Sequence, residues 1–467
     1  MKYLFPISIF VSSFTIAGDI HFENTLSERE VITSDMINSS GLFRIGDILL
    51  LSNKIRVSSI DGFSWFSSIN GLSSFHRQNW IVLLDGQRLA INTFDIVNLN
   101  MLPINITKID YVEIFSVPQL HEGIFTDHGL VHIHTQNISK RKLITLFQSA
   151  GNETGDPGPY IGTKYQSPNV DHIGLGTGLD IHLNVKKMNI NMGLNYKEQS
   201  LTDWAIRKRN NSIDNDPEYY PSIEMVSPYF KLNIQGDRGT HDIFASYSHS
   251  DRYFFFFKPI SREIPTDYTI KHIGIINNFI IFNKMNIIHR SYYSNNQLRK
   301  YPNTLDFDFD WTSNHFHTNL ENQFSIFSLR GKLGIGFDRY SLHTDYELSE
   351  YFYDSYNYYG TFNYNLAENI IQNIDAMVLL SNNKHALKTK YITKWYLNPK
   401  HTLNFIISYS QRLLEEDNSL WYWSELGYNL INTDYTINGN FNKSKIFTID
   451  LIWENQFIDN WTVEISN

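Results

Sequence analysis

Beyond Arg141 the chain alternates polar and apolar side chains with a period of two. In residues 189–196, Ile190, Met192, Leu194 and Tyr196 fall on one face and Asn189, Asn191, Gly193 and Asn195 on the other. Leu333, Ile335 and Phe337 likewise oppose Lys332, Gly334, Gly336 and Asp338, and Leu403, Phe405, Ile407 and Tyr409 oppose Thr402, Asn404, Ile406 and Ser408. Near the end, Phe447, Ile449, Leu451 and Trp453 oppose Thr448, Asp450, Ile452 and Glu454. A helix repeats every 3.6 residues, so this texture specifies half-buried β-strands and a mainly β fold.

A water-soluble sandwich alternates too, and three features favour a transmembrane barrel. Glycine and asparagine recur on the polar face, as a water-filled or plugged lumen allows, and tyrosine and tryptophan gather at strand ends, as interfacial girdles require. Connections also alternate in length, short at 185–188, 235–240, 282–284 and 398–401 and long at 151–171, 199–222 and 413–424. Aromatic residues make up 15% of the chain, with 28 Tyr and 32 Phe, yet mean hydropathy is only −0.31. Lipid-facing strands that turn every second residue inward combine these two properties. After the N-terminus no stretch approaches the roughly 20 consecutive apolar residues of a helical span.

Residues 1–17 read as a secretory signal peptide: a charge at Lys2, an apolar run from Tyr3 to Phe14, and small residues at Ala17 and Gly18. The competing reading is a buried N-terminal strand. The 467 residues allow two domains or one large one, and with no cysteine an exported chain must hold together without disulfides. A net charge of −9 offers no surface for phosphate, so nucleic acid is not an expected partner.

The front quarter has a different texture. Trp80-Ile81-Val82-Leu83-Leu84 runs into Asp85-Gly86, a hairpin signal. Ile109-Asp110-Tyr111-Val112-Glu113-Ile114 and Gly129-Leu130-Val131-His132-Ile133-His134 follow as two further strands. Upstream, residues 30–33 read as a strand, Ser34 as the cap of a short helix carrying Asp35, residues 47–51 as a second apolar turn and residues 57–60 as another strand.

These pieces, in this order, resemble the plug domain of TonB-dependent outer-membrane receptors. The plug motif falls on Asp85, Gly86, Glu113 and Gly129; the family's Arg-Gly reads Asn70-Gly71 here, and its Gly-Pro reads Val117-Pro118. The resemblance implies an antiparallel transmembrane β-barrel with a small α/β plug inside it. The divisions would be a periplasmic segment at 18–34, the plug at 35–138 and the barrel at 139–467. It also implies residence in the outer membrane of a Gram-negative-type bacterium and energy-coupled uptake of a scarce ligand such as a siderophore, cobalamin or a glycan. A TonB-like periplasmic partner would pair with an extended segment near the mature N-terminus by strand addition, for which residues 19–22 are the candidate. Roughly sixteen candidate strands follow Arg141, against twenty-two in plugged transporters, so the barrel is expected to lack its final strands or to belong to a smaller relative. A non-energised surface receptor or adhesin, or a truncated and non-functional receptor, is the alternative.

Three polar segments between strands carry aromatic rings and donors: Phe63, Trp65 and Phe66; His76, Arg77 and Gln78; and Phe94. Loop tips on a rigid scaffold concentrate binding residues, so these seven form a candidate floor for a partly apolar ligand. The alternative is that the aromatics pack the plug against the barrel wall while Arg77 pairs with a wall carboxylate. His132 and His134, two apart on a strand, share a face and invite a metal reading with His121, Asp127 or His128 as a third ligand; two histidines alone underdetermine such a site, and no metal or cofactor is expected. Carboxylate neighbours such as Glu415 with Glu416 and Asp306 with Asp308 have no positioned partner, and no phosphate loop, nucleophile elbow or zinc helix occurs, so the chain is not expected to be an enzyme.

Overall fold

The computed structural model describes residues 29–42, 44–59, 65–69, 80–89, 99–127, 129–136, 142–152, 173–200, 222–257, 262–281, 285–300, 311–326, 328–344, 351–381, 384–398, 401–411, 445–455 and 461–466. The readings of residues 1–17 and 19–22 lie outside them.

The front part is built on a five-stranded sheet. Its strands are β1 (Arg29–Thr33), β4 (Ile81–Leu84), β5 (Gln87–Arg88), β6 (Ile109–Phe115) and β9 (Leu130–Thr135), in the order β1-β6-β9-β4-β5. Within it only the β4–β9 pairing is parallel. The central strands β6 and β9 turn one apolar face to the core, where Ile32, Val112, Ile114, Val131 and Ile133 are buried together, while the other face carries Glu113, His132 and His134. Two hairpins flank the sheet, β2 (Ile55–Ser59) with β3 (Trp65–Ile69) and β7 (Gln119–His121) with β8 (Ile124–Thr126).

Local details correct the expectations in two places. The helix α1 (Ser34–Ser40) is capped by Thr33, whose hydroxyl accepts from the Met36 amide, and Ser34 is its first residue. Thr33 wins because it ends β1 in extended backbone, the conformation a capping side chain needs. The strand expected at 57–60 begins earlier, at Ile55, because that side chain is drawn into the core.

The rest of the described chain forms one fifteen-stranded sheet in strict sequence order, every neighbour antiparallel. Its strands are β10 (Lys142–Asn152), β11 (Ile173–Val185), β12 (Met188–Ser200), β13 (Ser222–Gly236), β14 (Gly239–Phe257), β15 (Arg262–Ile281), β16 (Met285–Lys300) and β17 (Trp311–Ile326). They continue as β18 (Leu329–Thr344), β19 (Tyr351–Ala367), β20 (Ile370–Ser381), β21 (Lys384–Asn398), β22 (His401–Gln411), β23 (Lys445–Asn455) and β24 (Trp461–Ser466). Among the described residues no ladder joins β10 to β24. The wall has fifteen strands among the described residues, against roughly sixteen expected and twenty-two in plugged transporters.

The period of two decides which way this wall faces. Leu194, Leu333, Ile335, Phe405, Phe447 and Trp453 are exposed on its outer side, whereas Asn195, Asn404, Ser408 and Asp450 are buried on its inner side. An apolar outside and a polar inside is the reverse of a water-soluble sandwich and is what a strand wall in lipid presents. What fills the inside is the front part of the chain. Tyr229 of β13 and Phe244 of β14 complete its main apolar core; Leu120 and Phe125 pack on Tyr359, Met377, Leu379 and Ala386; Val117 packs on Ile392, Ile406 and Ile452. The small sheet therefore sits as a plug within the concave wall.

Ile335 lies mid-strand on β18 and is 53% exposed on the outer side. Ile335→Lys is expected to cost about 2–4 kcal/mol in denaturant unfolding from lipid vesicles, the penalty of a lysine at bilayer depth. An unchanged or raised stability would mean that this face meets water.

Candidate functional site at the plug and wall interface

Two tight turns carry the plug's acidic tips. Asp85 and Gly86 join β4 to β5 with φ of 47° and 79°, and Glu122 and Gly123 join β7 to β8 with φ of 50° and 77°. Positive φ at both positions is the two-residue turn whose twist matches a hairpin, and glycine takes it without strain. The non-glycine member is strained, and in both turns it is a carboxylate aimed at the wall. At Gly123 a Cβ would lie 2.2 Å from Asn319 Nδ2 and 2.8 Å from the Tyr359 hydroxyl, so any larger residue would have to push these wall side chains aside as well as adopt the strained φ.

At the first tip, Asp85 Oδ1 accepts from the Thr135 amide at 2.8 Å, and Oδ2 accepts from the Thr135 hydroxyl and from Lys231 Nζ of β13, both at 2.7 Å. Burial alone would raise this carboxyl, but Lys231 and the Thr135 donors together hold it below its usual range. At the second tip, Glu122 pairs with Arg290 of β16, which also reaches Glu321 of β17 at 3.7 Å. Burial opposes the Glu122 charge, but Arg290, His121 and Lys332 outweigh it and bring its pKa down to about 2. Further ties run around the circumference. Asp127 meets Lys388 and Ser410, Lys108 meets Asp180, and Gln87 Oε1 lies 2.8 Å from His272 Nε2. The Leu120 amide donates to Asp375.

Inside the plug, the histidines join these tips to the edge strand. The Gly86 amide donates to His132 Nε2 at 2.8 Å, so that nitrogen carries a lone pair and His132 is neutral with its proton on Nδ1. Nδ1 lies 3.0 Å from His121 Nε2. His134 Nε2 lies 2.9 Å from Glu113 Oε2, whose other oxygen accepts from Arg29 of β1 at 2.7 Å. Burial lowers His132 well below its ordinary pKa, and burial likewise brings His121 down to about 4. Glu113 is held low despite burial, chiefly by His134 with help from His121 and Arg29.

Three of the four motif residues, Asp85, Gly86 and Glu113, thus join one network through β9, while Gly129 lies at the other end of the β4–β9 pair. Asp85 and Gly86 hold β9 through Thr135 and His132, Glu113 holds β1 and His134, and the Gly129 carbonyl accepts from the Ile81 amide. Of the metal reading, His132, His134 and His121 come together, while Asp127 turns to the wall and His128 lies outside the described residues. Glu113, His121 and His132 have ligand atoms within 4.8 Å of one another, but the Gly86 donor occupies His132 Nε2 and places the proton on Nδ1, which opposes coordination there. Of the expected ligand floor, Trp65 and Phe66 open β3, paired with Ser59 and Ser58. Phe63, His76, Arg77, Gln78 and Phe94 lie outside the described residues.

The wall's contribution was not read from the sequence. Lys231, Arg290, Glu321 and Lys388 are charges on the polar side of a strand, and a charge at membrane depth needs a partner. That signal was present in the sequence. Glu122-Gly123 was missed because glutamate is an unusual first residue for this turn.

Comparison with solved structures places this arrangement. The siderophore receptor PirA from Acinetobacter baumannii shares 12% identity and superposes with a TM-score of 0.70, over 97% of this chain and 71% of that one. A point mutant of the ferric enterobactin receptor PfeA from Pseudomonas aeruginosa shares 10% identity with a TM-score of 0.69, over 94% and 70%. The ferric citrate transporter FecA in its unliganded form shares 10% identity with a TM-score of 0.62, over 92% and 68%. No family model matches the sequence, and neither does any curated protein. The resemblance to TonB-dependent outer-membrane receptors expected from the front quarter is therefore met at the level of the fold, a mainly β wall around a plug.

The histidines give the plug a pH response. A group whose folded pKa is depressed binds its proton less readily folded than unfolded, so folding weakens as pH falls below the unfolded value, near 6.5 for histidine. His121, at about 4 when folded, costs about 2 kcal/mol between pH 7 and 5, and His132 acts in the same direction. The carboxylates at 85 and 122, both held low when folded, add their loss progressively below about pH 5. Opening of the plug, followed by hydrogen exchange corrected for intrinsic rates, is expected to become easier from pH 7 to 5 and less so in His121→Gln; a flat profile in the unaltered protein would contradict this.

Proposed function

We propose that this protein is an outer-membrane receptor that imports a metal chelate by energy-coupled displacement of its plug. The observation that carries the reading is the plug itself, seated in the wall and pinned by Asp85 to Lys231 and by Glu122 to Arg290. The expected plug at 35–138 would gain β1 and so begin at Arg29, with 139–467 as the barrel, the export signal at 1–17, and the periplasmic segment expected at 18–34 cut back to the residues ahead of Arg29. The neighbours in fold are receptors or transporters of siderophore, ferric enterobactin and ferric citrate, which favours an iron chelate over cobalamin or a glycan. Phe63, Trp65, Phe66, His76, Arg77, Gln78 and Phe94 would form its floor, and the role is transport, not catalysis.

The hydrogen bonds suggest how a pull would reach the wall. A TonB-like periplasmic partner holding the chain ahead of Arg29 would draw first on β1, which among the described residues is an edge strand paired with β6 alone. Arg29 is tied to Glu113, Glu113 to His134, whose ring centroid lies 3.8 Å from that of His132, and His132 to Gly86 beside the Lys231 pin. Peeling β1 removes one partner of Glu113 and passes strain along β9 to the Asp85 turn. Ligand would control this step only by binding the seated and displaced plugs unequally.

The test is uptake of radioiron presented as ferric chelates by cells carrying the protein, with and without a proton gradient. Expected is surface binding in both conditions and accumulation only with the gradient. Accumulation that ignores the gradient would favour a passive receptor, and absence of chelate binding would reject the assignment.

A further inference from the structure

We propose that His315, His317 and Asp338 form a binding site for a divalent first-row transition-metal ion on the inner wall of the barrel. The site needs neither the plug's histidines nor the transport reading. His315 and His317 are two apart on β17 and so share its inner face, and Asp338 stands directly opposite His317 in the ladder with β18. His315 Nε2 and His317 Nδ1 lie 2.9 and 2.7 Å from the same oxygen, Asp338 Oδ1. All three ligand atoms fall within 4.8 Å of one another. An ion held at about 2.0–2.1 Å from each ligand sets tetrahedral neighbours about 3.3 Å apart. Side-chain shifts of roughly half an ångström would make that room.

The groups are oriented independently of any ion. Asn357 Nδ2 donates to the other carboxylate oxygen, Oδ2, at 3.1 Å and leaves Oδ1 to the histidines. Tyr340 stacks on the His315 ring at 4.0 Å and 11°, and Tyr292 stacks on the His317 ring at 4.7 Å and 22°. Such supporting contacts fix ring orientation, which is what a metal site asks of its surroundings. The histidine side chains are 0% and 2% exposed while Asp338 keeps 14%, so the carboxylate is the open side.

Protonation separates this cluster from the one in the plug. His315 donates from Nε2 to Asp338, and its buried Nδ1 has no hydrogen-bond partner. Moving the imidazole proton from Nε2 to Nδ1 frees Nε2 as a ligand and breaks no bond at Nδ1. His132 has no such freedom, because its second nitrogen is held by the Gly86 amide. Two neutral imidazoles and one carboxylate suit zinc, iron, nickel or cobalt, and leave coordination positions for water or an incoming donor. The cluster lies in the half of the wall toward the longer connections, with His315 four positions from the Trp311 end of β17.

The full chain in detergent micelles, titrated with Co²⁺ and then Zn²⁺, tests the site. Expected is one Co²⁺ per chain with visible ligand-field absorption, displaced by Zn²⁺. His317→Gln and Asp338→Asn should each weaken binding at least tenfold, roughly the effect of losing even a supporting contact, and His132→Gln should leave it unchanged. X-ray absorption on the zinc-loaded, unaltered protein should show two imidazole ligands. No saturable Co²⁺ binding, binding indifferent to both wall variants, or a zinc environment without imidazole would each overturn the assignment; the first and last apply even if the variants fail to fold.

Discussion

A guanidinium sealed between a strand wall and its plug cannot stand alone. Arg290, with a side chain only 6% exposed, is held between Glu122 from the plug and Glu321 from the neighbouring strand. Breaking a buried ion pair by deleting one partner costs about 3–5 kcal/mol, because the other charge is left stranded in a poor solvent. The same pair adds little if both charges regain water together. A plug fixed by such pairs is held in a definite seat, yet can leave that seat if water follows it in. Apolar packing at Leu120, Phe125 and Val117 supplies adhesion between plug and wall, and the ion pairs supply register.

Both main pins are carried by strained tips. Asp85 and Glu122 take a left-handed backbone that an L-residue adopts at a cost, and each is followed by a glycine for which that conformation is free. The hairpins project only one carboxylate apiece, and the wall answers each with a cation. Because β1, Glu113, the two histidines of β9 and the Asp85 turn form one continuous set of contacts, the edge of the sheet and the wall are mechanically connected within the plug.

Much of this was legible before any coordinates. Alternation around Leu333 and Phe405 told lipid side from lumen side, because a strand's period leaves only two faces to choose between. Asp85-Gly86 announced its turn because aspartate and glycine both tolerate positive φ. What could not be read was pairing across the chain. Nothing local to Lys231 says that it will meet Asp85, 146 positions away, and nothing beside Arg290 points to Glu122. The His-Phe-His run at 315–317 passed unnoticed because its carboxylate arrives from the next strand, through ladder register. The cap at Thr33 was misplaced by one residue because serine and threonine are both competent caps and backbone geometry chooses between them.

The most direct test of a plug seated by buried charge is a zero-length cross-link. Asp85 and Lys231 touch at 2.7 Å and keep 18% and 21% side-chain exposure, so a small carbodiimide applied to membranes can join carboxylate to amine. Mass spectrometry of the digested protein is expected to find the peptide containing Asp85 bonded to the one containing Lys231. Recovery of both peptides unlinked, with Asp85 modified by the reagent alone, would mean that the front of the chain does not sit inside the wall.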